Sequence, residues 1–293
     1  MSSYPLIPHQ AFYCPNKDTY PPFKKGHYME EYFLKHMVNN NITHDKSGRR
    51  YLPVLWTNFQ IEPWFQSAKP MMQAILDNYI KQNPCEAGYF TIVQYDDGPL
   101  LHLPPNTVVY GACSGDIPLP LIYEDTDNKL KTIGENNEKQ RNIMCSFVGT
   151  TTHPVRNRVI EKYNENSNFL MSIVNNWSPV VDIGKQNTFI NLTLKSKFAL
   201  APRGYGRSSF RYFEIITLGA IPVYVWDDTE WLPYKSQIDY SKFSISINIK
   251  DIDNLEKILL DITSEKYNEM KKELENYKKY FSLDYMCEYL VNN

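Results

Sequence analysis

From residue 203 to 214 the chain reads Arg-Gly-Tyr-Gly-Arg-Ser-Ser-Phe-Arg-Tyr-Phe-Glu, which sets three arginines, two glycines, two serines and a carboxylate close together. Arg203, Arg207 and Arg211 can neutralise phosphate charge. Gly204 and Gly206, on either side of Tyr205, let a phosphate approach the backbone closely. Ser208 and Ser209 can cap a helix, and the free N–H groups and partial positive charge at a helix start favour an anion. Glu214 follows Arg211 by three residues and so shares its helix face. A diphosphate followed by a ribose would use this whole set, with cations and N–H groups on the phosphates and the carboxylate on the ribose hydroxyls. The competing reading is a surface Arg211–Glu214 ion pair beside glycines that only turn the chain.

The flanking segments decide where such a loop would sit. Phe198 to Ala201 is an apolar run too short for a helix and bounded by Pro202, which predicts a buried strand. Gly219 stops the helix, and Ile221 to Trp226 predict the next strand. Strand, crossover helix and strand form one right-handed unit of a parallel sheet, in which ligands bind beyond the carboxyl ends of the strands.

Pro202, Gly204, Ser209, Arg211, Glu214, Gly219, Ile221, Pro222, Val223 and Asp227 together resemble the signature of the exostosin family of glycosyltransferases. Trp231-Leu232-Pro233 and Asp239-Tyr240 also fit. Upstream, Cys145 to Thr150 with Arg156 resembles the strand and glycine turn that open the family's donor domain. The resemblance runs densely from about residue 141 to 275 and thinly before that. It implies the α/β architecture called GT-B: two facing Rossmann-like domains, with the active site in the cleft between them. The expected division is an acceptor-binding domain over 1–140, a nucleotide-sugar domain over 141–275, and a C-terminal helix over 276–293 that crosses back to the first domain.

The resemblance further implies an inverting, metal-independent transfer of a sugar from a UDP-sugar to a hydroxyl of a glycan, by single displacement. Xylose is the first guess for the sugar, with galactose, glucuronic acid and arabinose as alternatives. The donor set is then Gly149, Thr150, Arg156, Arg203, Gly204, Tyr205, Gly206, Arg207, Ser208, Ser209, Arg211 and Glu214. Arg156 also has a plain reading as a solvated helix residue. No metal or resident cofactor is expected, the UDP-sugar being a co-substrate.

The proton acceptor is expected in the first half. Tyr89 to Gln94 predict a strand, and Asp96 and Asp97 follow its end, where relatives of this type often carry His-Asp. Asp97-Gly98 is also a strong turn signal. Asp116, in Gly-Asp-Ile-Pro, is a further acceptor-side candidate. His27 and His102 are candidate proton carriers by residue type, with a structural role as the plain reading of each, and His153, which precedes a proline beside the Gly149 turn, is a candidate phosphate contact. Asp125-Thr126-Asp127 and Asp251-Ile252-Asp253 spell the Asp-x-Asp of metal-dependent transferases. The first falls in a polar linker and the second opens a helix, so neither has the strand-end setting that motif needs.

Other elements read from the pattern are a helix over 26–39, a strand over 51–57 and a helix over 68–82 with Met71, Met72, Ile75, Leu76 and Tyr79 inward. Further on come a strand over 107–111, a polar linker over 124–140, a strand from 144 and a helix over 155–163. The last are a helix near 169–175, a strand over 243–247 and helices over 251–260 and 264–281.

Composition narrows the class. The 293 residues carry a net charge of −2, which provides no broad attraction to nucleic acid or anionic membrane. No stretch reaches the length of a membrane span, and the N-terminus lacks the features of a signal peptide, so a cytoplasmic protein of viral or microbial type is expected. The five cysteines, at 14, 85, 113, 145 and 287, form no CxxC pair and are expected to be reduced. Two other functions fit the same residues. One is a catalytically inactive sugar-binding or scaffold subunit of this fold. The other is a nucleotide-dependent oxidoreductase, although Gly204-x-Gly206 lacks the third glycine of the dinucleotide fingerprint.

Overall fold

The computed structural model describes residues 27–125, 127–137, 140–174 and 182–293. The chain divides into two compact units, the first holding His27–Glu124 and Ser282–Asn293, the second Asp125–Phe281.

The first unit contains α1 (Met29–Asn39), β1 (Arg50–Tyr51), α2 (Trp56–Gln60), α3 (Phe65–Gln82), β2 (Tyr89–Val93), β3 (Thr107–Gly111) and β4 (Ile117–Pro118). Its four strands are parallel, in the order β1-β2-β3-β4. All five residues of β2 are buried, as expected of a parallel strand covered on both faces. The strand expected over 51–57 ends at Tyr51, and Trp56 and Thr57 open α2 instead. Pro53 has no N–H for the ladder, and Val54 N donates back to Leu52 O at 2.9 Å. α3 starts before the expected Ala68. Met72, Leu76 and Tyr79 face inward, but Met71 is 55% exposed, because one residue along a helix is a turn of about 100°. Residue 26, the expected start of the first helix, lies outside the described residues.

The second unit contains α4 (Lys129–Glu135), β5 (Ile143–Thr150), α5 (Pro154–Tyr163), β6 (Phe169–Val174), α6 (Ile183–Lys195), β7 (Ser196–Pro202), α7 (Phe210–Thr217), β8 (Ile221–Trp226), β9 (Ile245–Asn248), α8 (Leu255–Leu260) and α9 (Ser264–Tyr277). Its five strands are all parallel, in the order β6-β5-β7-β8-β9. The order reverses between β5 and β7, which makes their carboxyl ends the topological switch point of the sheet. The final helix, α10 (Leu283–Asn292), belongs to the first unit, where Tyr32 Oη donates to Asp284 at 2.6 Å and Lys46 N to Val291 O at 2.8 Å.

The helix expected near 169–175 is a strand. Phe169 to Val174 pair with Cys145 to Thr150 throughout, and six residues rich in apolar and β-branched types suit a strand better than a helix; residue 175 lies outside the described residues. α6 was not among the expected elements, although Asp182 caps it by accepting from Lys185 N at 2.9 Å. The polar stretch taken as a linker contains α4, and the helix expected from 251 begins with a 3₁₀ segment over Ile249–Asn254. Among the described cysteines, Cys85, Cys113, Cys145 and Cys287 are free thiols, and no described helix is long and apolar enough to cross a membrane.

A cationic loop at the carboxyl edge of the second sheet

β7 carries Phe198, Ala199, Leu200 and Ala201, each no more than 2% exposed, and delivers Arg203 to the switch point. The β7–β8 ladder continues one step past the strand, since Arg203 N donates to Val225 O at 3.0 Å. The following loop is held from several sides. Gly204 N donates to Ser208 O at 3.3 Å, and the Tyr224 hydroxyl on β8 donates to Arg207 O at 2.6 Å. Arg156 on α5 donates from Nε to Arg203 O at 2.9 Å and from Nη1 to Thr150 O at 3.3 Å. It thereby ties the end of β5 to the loop after β7, so the plain reading of Arg156 as a solvated residue does not hold.

Ser209 occupies the N-cap position of α7, but its side chain makes no capping hydrogen bond; the capping expected of it is not seen. Tyr212, Phe213, Glu214, Ile215 and Ile216 are all buried, so α7 is enclosed almost all round. Gly219 ends it at φ +72°, a left-handed conformation that glycine adopts without strain.

Three of the four arginines here, at 203, 207 and 211, meet three carboxylates, Glu214, Asp227 and Asp228. Arg203 Nη1 contacts Asp227 at 2.6 Å and Asp228 at 2.7 Å, and its Nη2 donates to Tyr205 O at 2.8 Å. Arg207 Nε contacts the other oxygen of Asp228 at 2.8 Å, and its guanidinium lies over the Trp231 ring at 5.4 Å. Burial works to raise the Asp228 carboxyl, but Arg207, the Thr229 N–H and Arg203 outweigh it and hold it at about 2. Arg203 and Arg207 are therefore neutralised by acids from the end of β8. The tight role of Asp228 was not foreseen, and its signal in the sequence was a second acid beside Asp227.

Arg211 is placed differently. Its guanidinium stacks over Phe189 of α6 at 3.8 Å, and its Nη1 contacts Glu214 at 2.5 Å. The Glu214 side chain is only 4% exposed and that of Arg211 22%, so this is no surface ion pair. His153 caps α5 through Nδ1, which accepts from Val155 N at 3.3 Å, and its Nε2 lies 3.9 Å from Asp227. Burial, then the neighbouring Arg203 charge, lower its pKa. Gly149 and Gly204 differ in kind. A Cβ at Gly149 would strike the Phe147 ring at 2.7 Å, whereas one at Gly204 would meet only ordinary contacts at 3.5 and 3.8 Å. Gly149 is thus required by packing, and Gly204 is not. Tyr205 stands 64% exposed beside it, and Gly206 is buried.

In the first unit, Asp96 and Asp97 are exposed in the turn after β2, which Gly98 closes at φ +77° with its N–H on Tyr95 O at 3.1 Å. Asp116 does not reach a strand's carboxyl end. It lies before β4 beside the middle of β3, where its carboxylate accepts from Val109 N at 2.8 Å and its own N–H donates to Val109 O at 2.8 Å. That engagement gives Asp116 a structural role beside β3, while its carboxylate stays on an exposed residue.

Sequence reasoning missed a buried polar cluster beneath this turn. Glu30 on α1, fully buried, accepts from Gln94 N at 2.7 Å, Thr57 Oγ1 at 2.8 Å and Thr57 N at 2.9 Å. Burial, opposed by these hydrogen bonds, pushes its carboxyl up from 4.5 to about 8. Gln60 takes Leu100 N at 2.8 Å and gives to Gly98 O at 2.9 Å. α2 is thereby fastened at both ends to the segment that carries Asp96 and Asp97. No periodicity announces such a cluster, because polar residues at core positions look like surface in a sequence.

Residues 110–262 match the Exostosin GT47 domain, just over half of the chain, and the protein belongs to that family. It is similar to a probable glycosyltransferase of Arabidopsis thaliana, 24% identical over 169 residues, which is 58% of this chain and 31% of that protein. A probable beta-1,4-xylosyltransferase of the same plant is 25% identical over 281 residues, covering 81% of this chain and 64% of that one. The crystal structure of TarM matches 76% of this chain and 58% of its own at 8% identity and a TM-score of 0.37, which is too low to carry an argument. The chain spans less than half the length of several curated relatives, 31%, 33% and 43% for the first three.

Proposed function

We propose that the protein is an inverting glycosyltransferase that moves a sugar from a UDP-sugar to a glycan hydroxyl without a metal. The observation that carries this reading is the buried Arg211–Glu214 pair on α7, beside the switch point and inside the family-matched stretch. Burying a carboxylate in a short helix costs on the order of several kcal/mol unless it is well paired. A ribose diol gives Glu214 a reason to be there, and the diphosphate gives Arg211 one.

In the proposed reaction an acceptor oxygen attacks the anomeric carbon while the bond from that carbon to the diphosphate oxygen breaks. The electron pair leaves with UDP, whose charge is met by Arg211 and by whichever of Arg203 and Arg207 the diphosphate draws from Asp228. The acceptor proton passes to a carboxylate, for which Asp96 and Asp97 are proposed. Xylose heads the proposed donors, partly because one relative is named a probable xylosyltransferase.

The test is UDP release from a panel of UDP-xylose, UDP-galactose, UDP-glucuronic acid and UDP-arabinose, with and without EDTA. Release from one of them with EDTA present supports the reading. Tight UDP binding with no release from any would favour an inactive subunit of the family, and loss of release in EDTA would overturn the metal-free mechanism.

A further inference from the structure

The opposite edge of the second sheet holds a cavity of about 440 Å³ beside Gly219, lined by Arg141, Tyr267, Lys271 and Glu275 among others. It lies at the amino end of β7, roughly 20 Å from the loop after that strand at about 3.3 Å per residue. Three cationic nitrogens converge there: Lys271 Nζ, Arg141 Nη2 and Lys278 Nζ lie 3.2, 3.4 and 3.7 Å from the point a Gly219 Cβ would occupy. One carboxylate among the lining residues, Glu275, is already engaged by Lys278 at 2.7 Å. Arg141 donates to the carbonyls of Thr193, Ser196 and Leu218 at 2.7–2.8 Å, and Lys271 to that of Gly219.

Part of this arrangement serves the fold, because cations at the ends of α6 and α7 satisfy free carbonyls and oppose the helix dipoles. Two features go beyond that role. The Tyr267 hydroxyl is buried and, among the described residues, has no hydrogen-bond partner. Arg141 and Lys271 also crowd each other, and burial together with the Arg141 charge drives the Lys271 amine down to about 8. Among the described residues the lining is thus richer in donors and positive charge than in anionic acceptors, Glu275 being its one carboxylate. The group that completes such a set is acceptor-only and anionic.

We propose that this cavity binds a tetrahedral oxyanion, phosphate or sulfate, either free or as a substituent of a larger molecule. Lys271 and Arg141 supply the charge and Tyr267 the neutral hydrogen bond. The site is separate from the loop at 203–211.

Calorimetric titration of the full chain with potassium phosphate, against potassium chloride at equal ionic strength, tests it. A saturable phosphate site that UDP does not displace is expected, weakened roughly tenfold in Lys271→Met and severalfold in Tyr267→Phe. Tyr267→Phe removes only an unpartnered oxygen, so it keeps the test valid if the lysine variant does not fold. No saturable phosphate heat in wild type would overturn the proposal, as would wild-type affinity in Tyr267→Phe, which would place the bound phosphate elsewhere. A hexose 6-phosphate that binds at least as tightly as phosphate assigns the site to a substituent; weaker binding assigns it to the free ion.

Discussion

Glu214 and Glu30 are both carboxylates buried where a small apolar side chain would cost less, and they differ in what faces them. Glu214 faces Arg211, a cation that the proposed diphosphate also needs. Arg211→Ala is expected to weaken UDP binding by roughly ten- to a hundredfold, and Arg211→Lys should not restore it, because an ammonium cannot reproduce the planar stacking on Phe189. Calorimetry with UDP checks both, and unchanged affinity in the alanine variant would remove the residue from the site. Among the described residues Glu30 accepts from neutral donors, with the Glu31 charge nearby, and burial raises its carboxyl from 4.5 to about 8. Between those values the native protein keeps a proton that the unfolded chain has lost, so this group's contribution falls as pH rises through the window. Urea denaturation from pH 5 to 8 should therefore show a decline in stability that is flattened in Glu30→Gln; an identical slope in the variant would contradict the assignment. Arg211 and Glu214 were legible because three-residue spacing on a helix is a local fact. Glu30 was not, because its partners lie 27 and 64 residues away.

The β7–loop–α7–β8 unit was read closely, since Phe198 to Ala201 and most of β8 are apolar, its helix ends at a left-handed glycine and its proline and serines stand at the junctions; β7 itself begins earlier, at Ser196 and Lys197. The strand order that makes it a switch point was not legible, because pairing between β5 and β7 depends on contacts about 50 residues apart. The acids at 227 and 228 were visible in the sequence, but their turn toward Arg203 and Arg207 was not. Within the site Gly149, in β5, and Gly204, in the loop after β7, separate packing from binding. Gly149→Ala should lower stability by about 1–3 kcal/mol, the usual range for overpacking, since its Cβ would meet the Phe147 ring. Gly204→Ala should fold with near-native stability and yet bind UDP more weakly, if a phosphate approaches the backbone there. Thermal melts with and without UDP distinguish the two. A Gly204→Ala protein with full UDP affinity would mean that the glycine only turns the chain.

At the scale of the chain, two parallel-sheet α/β units and membership of the exostosin GT47 family are established, and the chemistry proposed for them rests on the carboxyl edge of the second sheet. The first half was less legible because its strands are short, two residues each in β1 and β4, and its carboxyl-edge cluster is polar. The central claim is most directly tested by a crystal structure of the protein soaked with UDP. The diphosphate is expected against residues 203–211, with Arg211 on a phosphate oxygen and both ribose hydroxyls on Glu214. A nucleotide bound elsewhere, or one that leaves Glu214 without a ribose contact, would contradict the account.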